Sequence, residues 1–183
     1  LLVPVPLQSW EPRLLQTELV DPLFPATLQR YLLDRSRALG MRQGLRWRGA
    51  MLTHANHTWN VIHTTQRLPI HAGTVALGVA PMFHIGGTSV TVLPTLFQGG
   101  TVVTLPAFDA RAVLEATERE RLTGLFCVPS MWQMIVEEMA NKEYDLSSVE
   151  FLMTGAAPTP LKILKFFQER GLAIYEGFGM TEL

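Results

Sequence analysis

The sequence predicts an α/β protein with a mainly parallel sheet covered by helices. From Gly49 onward, short apolar segments rich in β-branched residues alternate with longer segments in which apolar residues recur at helical spacing. The short segments are almost entirely apolar, as strands buried between two layers of helices must be. This alternation indicates a parallel sheet, because parallel strands are joined by crossover helices.

Turn and capping residues set the limits of each predicted element. The predicted strands are Thr74–Ala80, Thr101–Leu105, Leu125–Val128, Val149–Thr154 and Leu172–Tyr175. The predicted helices are Thr53–Gln66, His84–Phe97, a helix capped by Asp109 that runs to about Arg121, Ser130–Ala140 and Pro160–Arg170. Pro81 closes the first strand, and the pair Gly99-Gly100 ends the second helix.

The chain divides into two regions of different composition. Residues 1–48 hold five prolines within the first 25 positions, no glycine before Gly40, and a net charge of +3. Residues 49–183 carry a net charge of −4 and show regular periodicity. We therefore predict an irregular arm over residues 1–48 and a folded domain over residues 49–183.

Composition and charge exclude several classes of function. The net charge of −1 gives no electrostatic basis for binding nucleic acid or an anionic membrane. No apolar run reaches the roughly 18 to 20 residues of a membrane span. The single cysteine, Cys127, excludes an internal disulfide, and its apolar surroundings indicate a buried, inert thiol. These features predict a soluble cytoplasmic protein, with contact to a membrane surface left open as an alternative; oligomeric state is also left open.

The segment with the strongest chemical pattern is YEGFGMTE at Tyr175–Glu182. It begins at a predicted strand end, where open α/β sheets bind their ligands, and its glycines allow the backbone to approach a ligand closely. Phe178 offers a flat face for a base, Thr181 can donate a hydrogen bond to a phosphate oxygen, and Glu182 can hold Mg²⁺. On its own, the segment is equally compatible with an ordinary glycine turn.

Three further segments have related features. MTGAAPTP at Met153–Pro160 follows a predicted strand and leaves room for a ligand against the backbone, and Pro160 suits the first turn of a helix. PMFHIGG at Pro81–Gly87 places His84 between an aromatic residue and two glycines directly after a strand. GAMLTH at Gly49–His54 opens the regular region.

In this order and spacing, the four segments resemble the adenylate-forming superfamily of acyl-CoA synthetases, luciferases and peptide-synthetase adenylation domains. The resemblance covers about residues 49–183 and corresponds to a central part of the large N-terminal domain of an AMP-forming acyl-CoA synthetase. It implies that a carboxylic acid reacts with ATP in the presence of Mg²⁺, and that the acyl group passes to coenzyme A. The LTH and FHIGG segments favour a fatty or other hydrophobic acid, as the resemblance implies.

The resemblance also implies roles for individual residues. His84 matches a histidine that lies near the carboxylate and gates the acyl channel, Thr181 matches a residue that contacts phosphate, and Glu182 matches a Mg²⁺ ligand. The remaining matches form the wall of the nucleotide pocket and the surroundings of adenine and the acyl chain. They are Gly155, Ala156, Ala157, Pro158, Tyr175, Glu176, Gly177 and Phe178.

The sequence departs from the family pattern before Gly49. The family's phosphate loop resembles TSGTTGxPKG, whereas residues 38–49 read ALGMRQGLRWRG, with no serine or threonine and with Arg48 at the lysine position. A triphosphate-binding loop needs closely spaced glycines and small hydroxyl residues. A frameshift or a foreign exon is one hypothesis for this pattern; an intact single reading frame in independent clones would argue against it.

The sequence stops at Leu183, whereas family enzymes continue with a ribose-binding aspartate and a small domain that carries a catalytic lysine. We therefore expect no turnover, and no carboxylate-dependent ATP–pyrophosphate exchange, from this chain alone. Two alternatives stay open: a non-catalytic remnant or pseudogene product, and an acyl-AMP ligase or peptide-synthetase adenylation domain whose termini are missing. The flanking DNA would distinguish them.

Other candidate residues are assigned to the framework. His54 and His57 share a helix face, but no nearby cysteine or carboxylate completes a metal site. An apolar helical stripe is interpreted as core, with an edge of the acyl pocket as the alternative. It consists of Met131, Trp132, Met134 and Ile135.

Overall fold

A computed structural model describes residues 52–181, which contain one five-stranded sheet. The strands are β1 (Val75–Gly78), β2 (Thr101–Thr104), β3 (Gly124–Phe126), β4 (Phe151–Thr154) and β5 (Ile174–Glu176). They lie in the order β2-β1-β3-β4-β5, and every neighbouring pair is parallel. The predicted fold class is therefore confirmed.

Within residues 52–181, six helices connect and cover these strands. They are α1 (His54–Thr65), α2 (Ile85–Thr88), α3 (Val92–Phe97), α4 (Ala110–Glu120), α5 (Pro129–Met139) and α6 (Leu161–Gln168). Their limits follow from local chemistry. At the start of α1, Thr53 and Asn56 form a reciprocal capping box, and Asp109 Oδ1 accepts a hydrogen bond of 2.8 Å from the N–H of Ala112.

The single helix predicted over His84–Phe97 is wrong, because the chain forms α2 and α3 with a turn between them. Pro94 explains the break. In a continuous helix its nitrogen would have to donate to the carbonyl of Val90, but proline has no N–H and its ring would clash with that carbonyl. In the observed structure Pro94 lies in the first turn of α3, where no such hydrogen bond is required.

The main core lies on one face of the sheet, where α4, α5 and α6 pack side by side. Trp132 is almost fully buried there, with its ring edge-on to Phe167 at 5.1 Å and its Nε1 donating to the carbonyl of Met153. Trp132 and Ile135 of the apolar stripe are therefore core, as predicted. Burial also raises the pKa of the Cys127 thiol, which fits the predicted inert cysteine.

The strand order reverses between β1 and β3. From β1 the chain passes through α2 and α3 to β2 on one side, whereas β3, β4 and β5 follow one another on the other side. Because parallel crossovers are right-handed, connections that run in opposite directions lie on opposite faces of the sheet. Such a reversal opens a crevice at the carboxyl ends of the strands. No helix within residues 52–181 is long and apolar enough to cross a membrane.

Candidate ligand-binding site

A crevice of about 920 Å³ lies at the strand-order reversal, within the size range of small-molecule sites. Segments that follow β1, β3, β4 and β5 line it together with one side of α1. The predicted site residues on this lining are His84, Gly155, Ala156, Gly177, Phe178 and Thr181. Three segments that are distant in the sequence thus meet at one place because their strands end at the same edge of the sheet.

His84 caps the N-terminus of α2. Its Nδ1 accepts a hydrogen bond of 3.0 Å from the N–H of Gly86, so the proton of the neutral ring is on Nε2. The turn is tight: a side chain at Gly87 would overlap the carbonyl oxygen of Pro81. The FHIGG segment therefore fixes the histidine backbone and leaves Nε2 as a hydrogen-bond donor for a ligand.

The loops after β4 and β5 approach each other closely. The N–H of Gly177 donates to the carbonyl of Thr154 at 2.8 Å, and a Cβ added at Gly155 would lie 3.0 Å from the carbonyl oxygen of Gly177. Ala156 has φ = +72°, a left-handed conformation that is strained for a residue with a side chain. The small residues are thus needed to bring both loops to the same edge.

Phe178 presents an apolar ring to this crevice. Its side chain is 88% exposed, so it contributes little to the core of residues 52–181. Thr181 follows on the same wall of the crevice. An exposed aromatic ring next to a hydroxyl is suited to a flat, polar ligand.

Some predicted site residues do not line the crevice. Ala157 and Pro158 are exposed in the loop after β4, and Tyr175 pairs in register with Met153 and is about half-exposed. Glu176 contacts the same loop, because its Oε1 accepts a hydrogen bond from the N–H of Thr159. Glu182, together with the atypical segment at residues 38–49, lies outside the described residues.

Sequence reasoning missed polar residues on the crevice wall. Asn60 and Thr64 reach it from α1, and Ser89 reaches it from the turn between α2 and α3. No sequence motif marks them, because their significance depends on how α1 packs against the helices that follow β1. Met131 packs against the core and lines the crevice as well, so one end of the apolar stripe borders the site.

The rest of the described structure offers weaker candidates. A smaller hollow of about 650 Å³ is lined by polar and apolar residues around Asn141 and Arg170, and none of the predicted site residues belongs to it. Within residues 52–181, no group of three or more histidine, cysteine or acidic residues could hold a metal ion.

A match to a protein-family model shows the family to which this chain belongs. Residues 47–183 match the family model described as AMP-binding enzyme. The chain belongs to the AMP-binding enzyme family. The resemblance to AMP-forming acyl-CoA synthetases is thereby confirmed.

Relatives within this family include several CoA ligases. A feruloyl-CoA synthase from Amycolatopsis sp. is 44% identical over 135 residues, which cover 74% of this chain and 28% of the relative. The 4-coumarate–CoA ligase 1 of Oryza sativa subsp. japonica is 33% identical over 141 residues, which cover 74% of this chain and 25% of the relative. The chain thus spans about a quarter of the length of these relatives.

A solved structure shows the same arrangement of helices and strands. The o-succinylbenzoate CoA synthetase of Bacillus subtilis, in complex with its acyl-adenylate intermediate, superposes with a TM-score of 0.66 at 28% sequence identity. The superposition covers 73% of this chain and 27% of that one. The similarity is therefore confined to one part of the larger enzyme.

Proposed function

We propose that this chain supplies the acyl-adenylate-binding crevice of an AMP-forming acid–CoA ligase. In that reaction the carboxylate attacks the α-phosphorus of ATP and pyrophosphate leaves. The thiol of coenzyme A then attacks the acyl carbon, and AMP leaves as the thioester forms. The observation that carries the proposal is the convergence of three strand-end segments on one crevice at the strand-order reversal.

The nucleotide is assigned to the loops after β4 and β5. Phe178 would stack on adenine, and the backbone around Gly155 and Ala156 would form the wall beside it. Thr181 would donate a hydrogen bond to a phosphate oxygen. The exposed ring and the close approach of the two loops fit a planar base and support this assignment.

The acid is assigned to the wall formed by the FHIGG segment. With Nδ1 engaged by Gly86, Nε2–H of His84 can donate a hydrogen bond to a carboxylate or acyl-phosphate oxygen. Such a donor orients the acid next to the nucleotide and stabilises its negative charge. His84 therefore acts in this proposal by positioning the acyl group.

Mg²⁺ is assigned to Glu182 on the family resemblance. Bound there, it would offset the negative charge of the phosphates. The described residues do not form a Mg²⁺ site by themselves, because they contain no cluster of three candidate ligands, and Glu176 already accepts the hydrogen bond from Thr159.

Coenzyme A is proposed on the family relationship. Residues 49–183 would then be a part of the AMP-binding domain, with residues 1–48 as an arm outside it.

The acid is proposed to be aromatic rather than fatty. Phe126, Met131 and Met153 give the crevice an apolar wall that suits a flat ring. The relatives are described as feruloyl-CoA synthase and 4-coumarate–CoA ligase. The names of these relatives do not support the prediction of a fatty acid.

Titration of the 183-residue chain with a preformed feruloyl-adenylate, followed by calorimetry, tests the proposed function. We expect saturable binding that AMP displaces and that His84→Asn weakens. Asparagine can still cap α2 through its side-chain oxygen, but it lacks the imidazole Nε2–H donor. Wild-type chain that binds neither the adenylate nor AMP would refute the proposal.

A further inference from the structure

We propose that β2 is a pairing edge through which two copies of this chain form a symmetric dimer. The strand lies at one end of the sheet, and within residues 52–181 only β1 pairs with it. In the dimer the two β2 strands run antiparallel across a two-fold axis and join the two sheets into one. No residue of β2 lines the crevice, so the inference is independent of the proposed function.

The first argument is the direction of the backbone groups in β2. The N–H groups of Thr101 and Leu105 donate to carbonyls at the two ends of β1, at 2.8 and 3.3 Å. Residues along a strand alternate in the direction of their backbone hydrogen bonds, so Val103 also faces β1. Val102 and Thr104 therefore direct their N–H and C=O groups to the open side, where another strand can pair with them.

These outward groups are self-complementary about a two-fold axis at Val103. With the axis there, Val102 of one copy lies opposite Thr104 of the other, and such a pair exchanges two N–H···O hydrogen bonds. The axis generates a second, identical pair. The same edge is used by both copies, so the pairing closes at two chains.

The second argument is that β2 lacks the features that protect a sheet edge. Natural edges carry charged side chains, proline or a bulge. The strand reads TVVT, and its register with β1 is regular. Residues 52–108 contain a single charged residue other than histidine, Arg67, whereas residues 109–181 contain eleven acidic and seven basic residues. Two copies can therefore meet at β2 without bringing like charges together.

The third argument is the apolar surface next to this edge. Val102 and Val103 point to opposite faces of the sheet, and both are only partly buried. Leu96 and Phe97, at the end of the helix that packs against β2, are 54% and 60% exposed. A standard interface buries about 800 Å² per partner. A four-residue strand with this flank covers less, so we expect a dimer that dissociates on dilution.

Sedimentation equilibrium of the 183-residue chain tests the inference. At high protein concentration we expect a mass near twice the 20.4 kDa of the monomer, which returns to 20.4 kDa on dilution. Thr104→Lys should stay monomeric, because it places two positive charges diagonally across the axis, about 7–8 Å apart. Thr58→Lys is the control: it adds the same charge at an exposed threonine of α1 and should dimerise like the wild type.

A charge reversal separates a role in pairing from a role in folding. Thr104→Glu alone should also be monomeric, whereas an equal mixture of Thr104→Lys and Thr104→Glu should form a dimer, because the diagonal side chains then attract. Hydrogen exchange of the wild type needs no variant. The amides of Val102 and Thr104 should exchange more slowly in the dimer than in the monomer, and the amide of Val103, which already faces β1, should change little.

Wild-type chain that stays monomeric at every concentration would overturn the dimer. Dimerisation of Thr104→Lys at the wild-type affinity would overturn the role of β2, as would association beyond two copies. If neither charged variant folds, hydrogen exchange decides alone: equal rates for Val102 and Thr104 at low and high concentration would refute the pairing.

Discussion

Glu176 Oε1 accepts a 2.9 Å hydrogen bond from the backbone N–H of Thr159, and this bond ties the end of β5 to the loop that follows β4. The same loop is held by the hydroxyl pair of Thr154 and Thr159 at 3.1 Å. Glu176 was expected beside the ligand. In the structure its carboxylate holds the loop that forms the crevice wall, and its place beside a ligand stays a prediction.

Loss of this carboxylate should loosen the loop without unfolding the sheet. In Glu176→Ala, we expect the amide hydrogen of Thr159 to exchange roughly fivefold to tenfold faster, as for the loss of a hydrogen bond with a net contribution of about 1 kcal/mol. Glu176→Gln retains an acceptor oxygen and should exchange nearly as slowly as wild type. Equal exchange rates in all three proteins would show that the bond does not hold the loop.

Ala156 should be a site where glycine stabilises the protein. Its φ of +72° costs an alanine about 1 kcal/mol, a strain that glycine avoids. Part of that gain is lost because glycine also increases the entropy of the unfolded chain. We expect Ala156→Gly to raise the free energy of unfolding by about 0.5 kcal/mol in a urea titration, and Ala156→Val to lower it.

A side chain at Gly87 should disrupt the turn that carries His84. Its Cβ would overlap the Pro81 carbonyl, which is backbone and cannot move without shifting the loop. We expect Gly87→Ala to lower the free energy of unfolding by about 2 kcal/mol or more. Gly179→Ala is the control, because a Cβ there meets no atom within 4 Å. Equal stability of the two variants would contradict the described turn.

Glu138 should make folding stability depend on pH. Hydrogen bonds from Tyr144 and then from Arg111 lower the pKa of Glu138 in the folded state. A carboxylate with a lowered folded pKa contributes stability above its unfolded pKa of about 4.3, and that contribution is lost as the pH falls through the folded value.

Glu138→Gln should therefore have a lower urea midpoint than wild type at pH 7, and the difference should shrink below about pH 4. Glu137→Gln is the control on the same helix, because the hydrogen bond described for the Glu137 side chain is with the neutral side chain of Gln133. If the difference in urea midpoint between Glu138→Gln and wild type stayed constant across this pH range, titration of Glu138 would not be the cause of the pH dependence.

The sequence was sufficient to predict the sheet because apolar, β-branched strands and their turn residues are local signals. The same reasoning failed at α2 and α3, where helical periodicity outweighed the single signal of Pro94. Asn60 and Ser89 could not be identified from the sequence, because their positions on the crevice wall depend on the packing of α1 and of the turn after α2. Motifs thus indicated which strand ends carry the site. The polar residues on the crevice wall could be identified only from the three-dimensional structure.

A comparison of two phenylalanine variants tests whether the crevice holds an adenylate against Phe178. Phe178 and Phe97 are 88% and 60% exposed, and only Phe178 lines the crevice. In titrations with feruloyl-adenylate, we expect Phe178→Ala to weaken binding roughly tenfold, as for the loss of a base–aromatic stack of about 1–3 kcal/mol. Phe97→Ala should bind like wild type. Equal affinity of both variants and the wild type would show that Phe178 does not hold the adenylate.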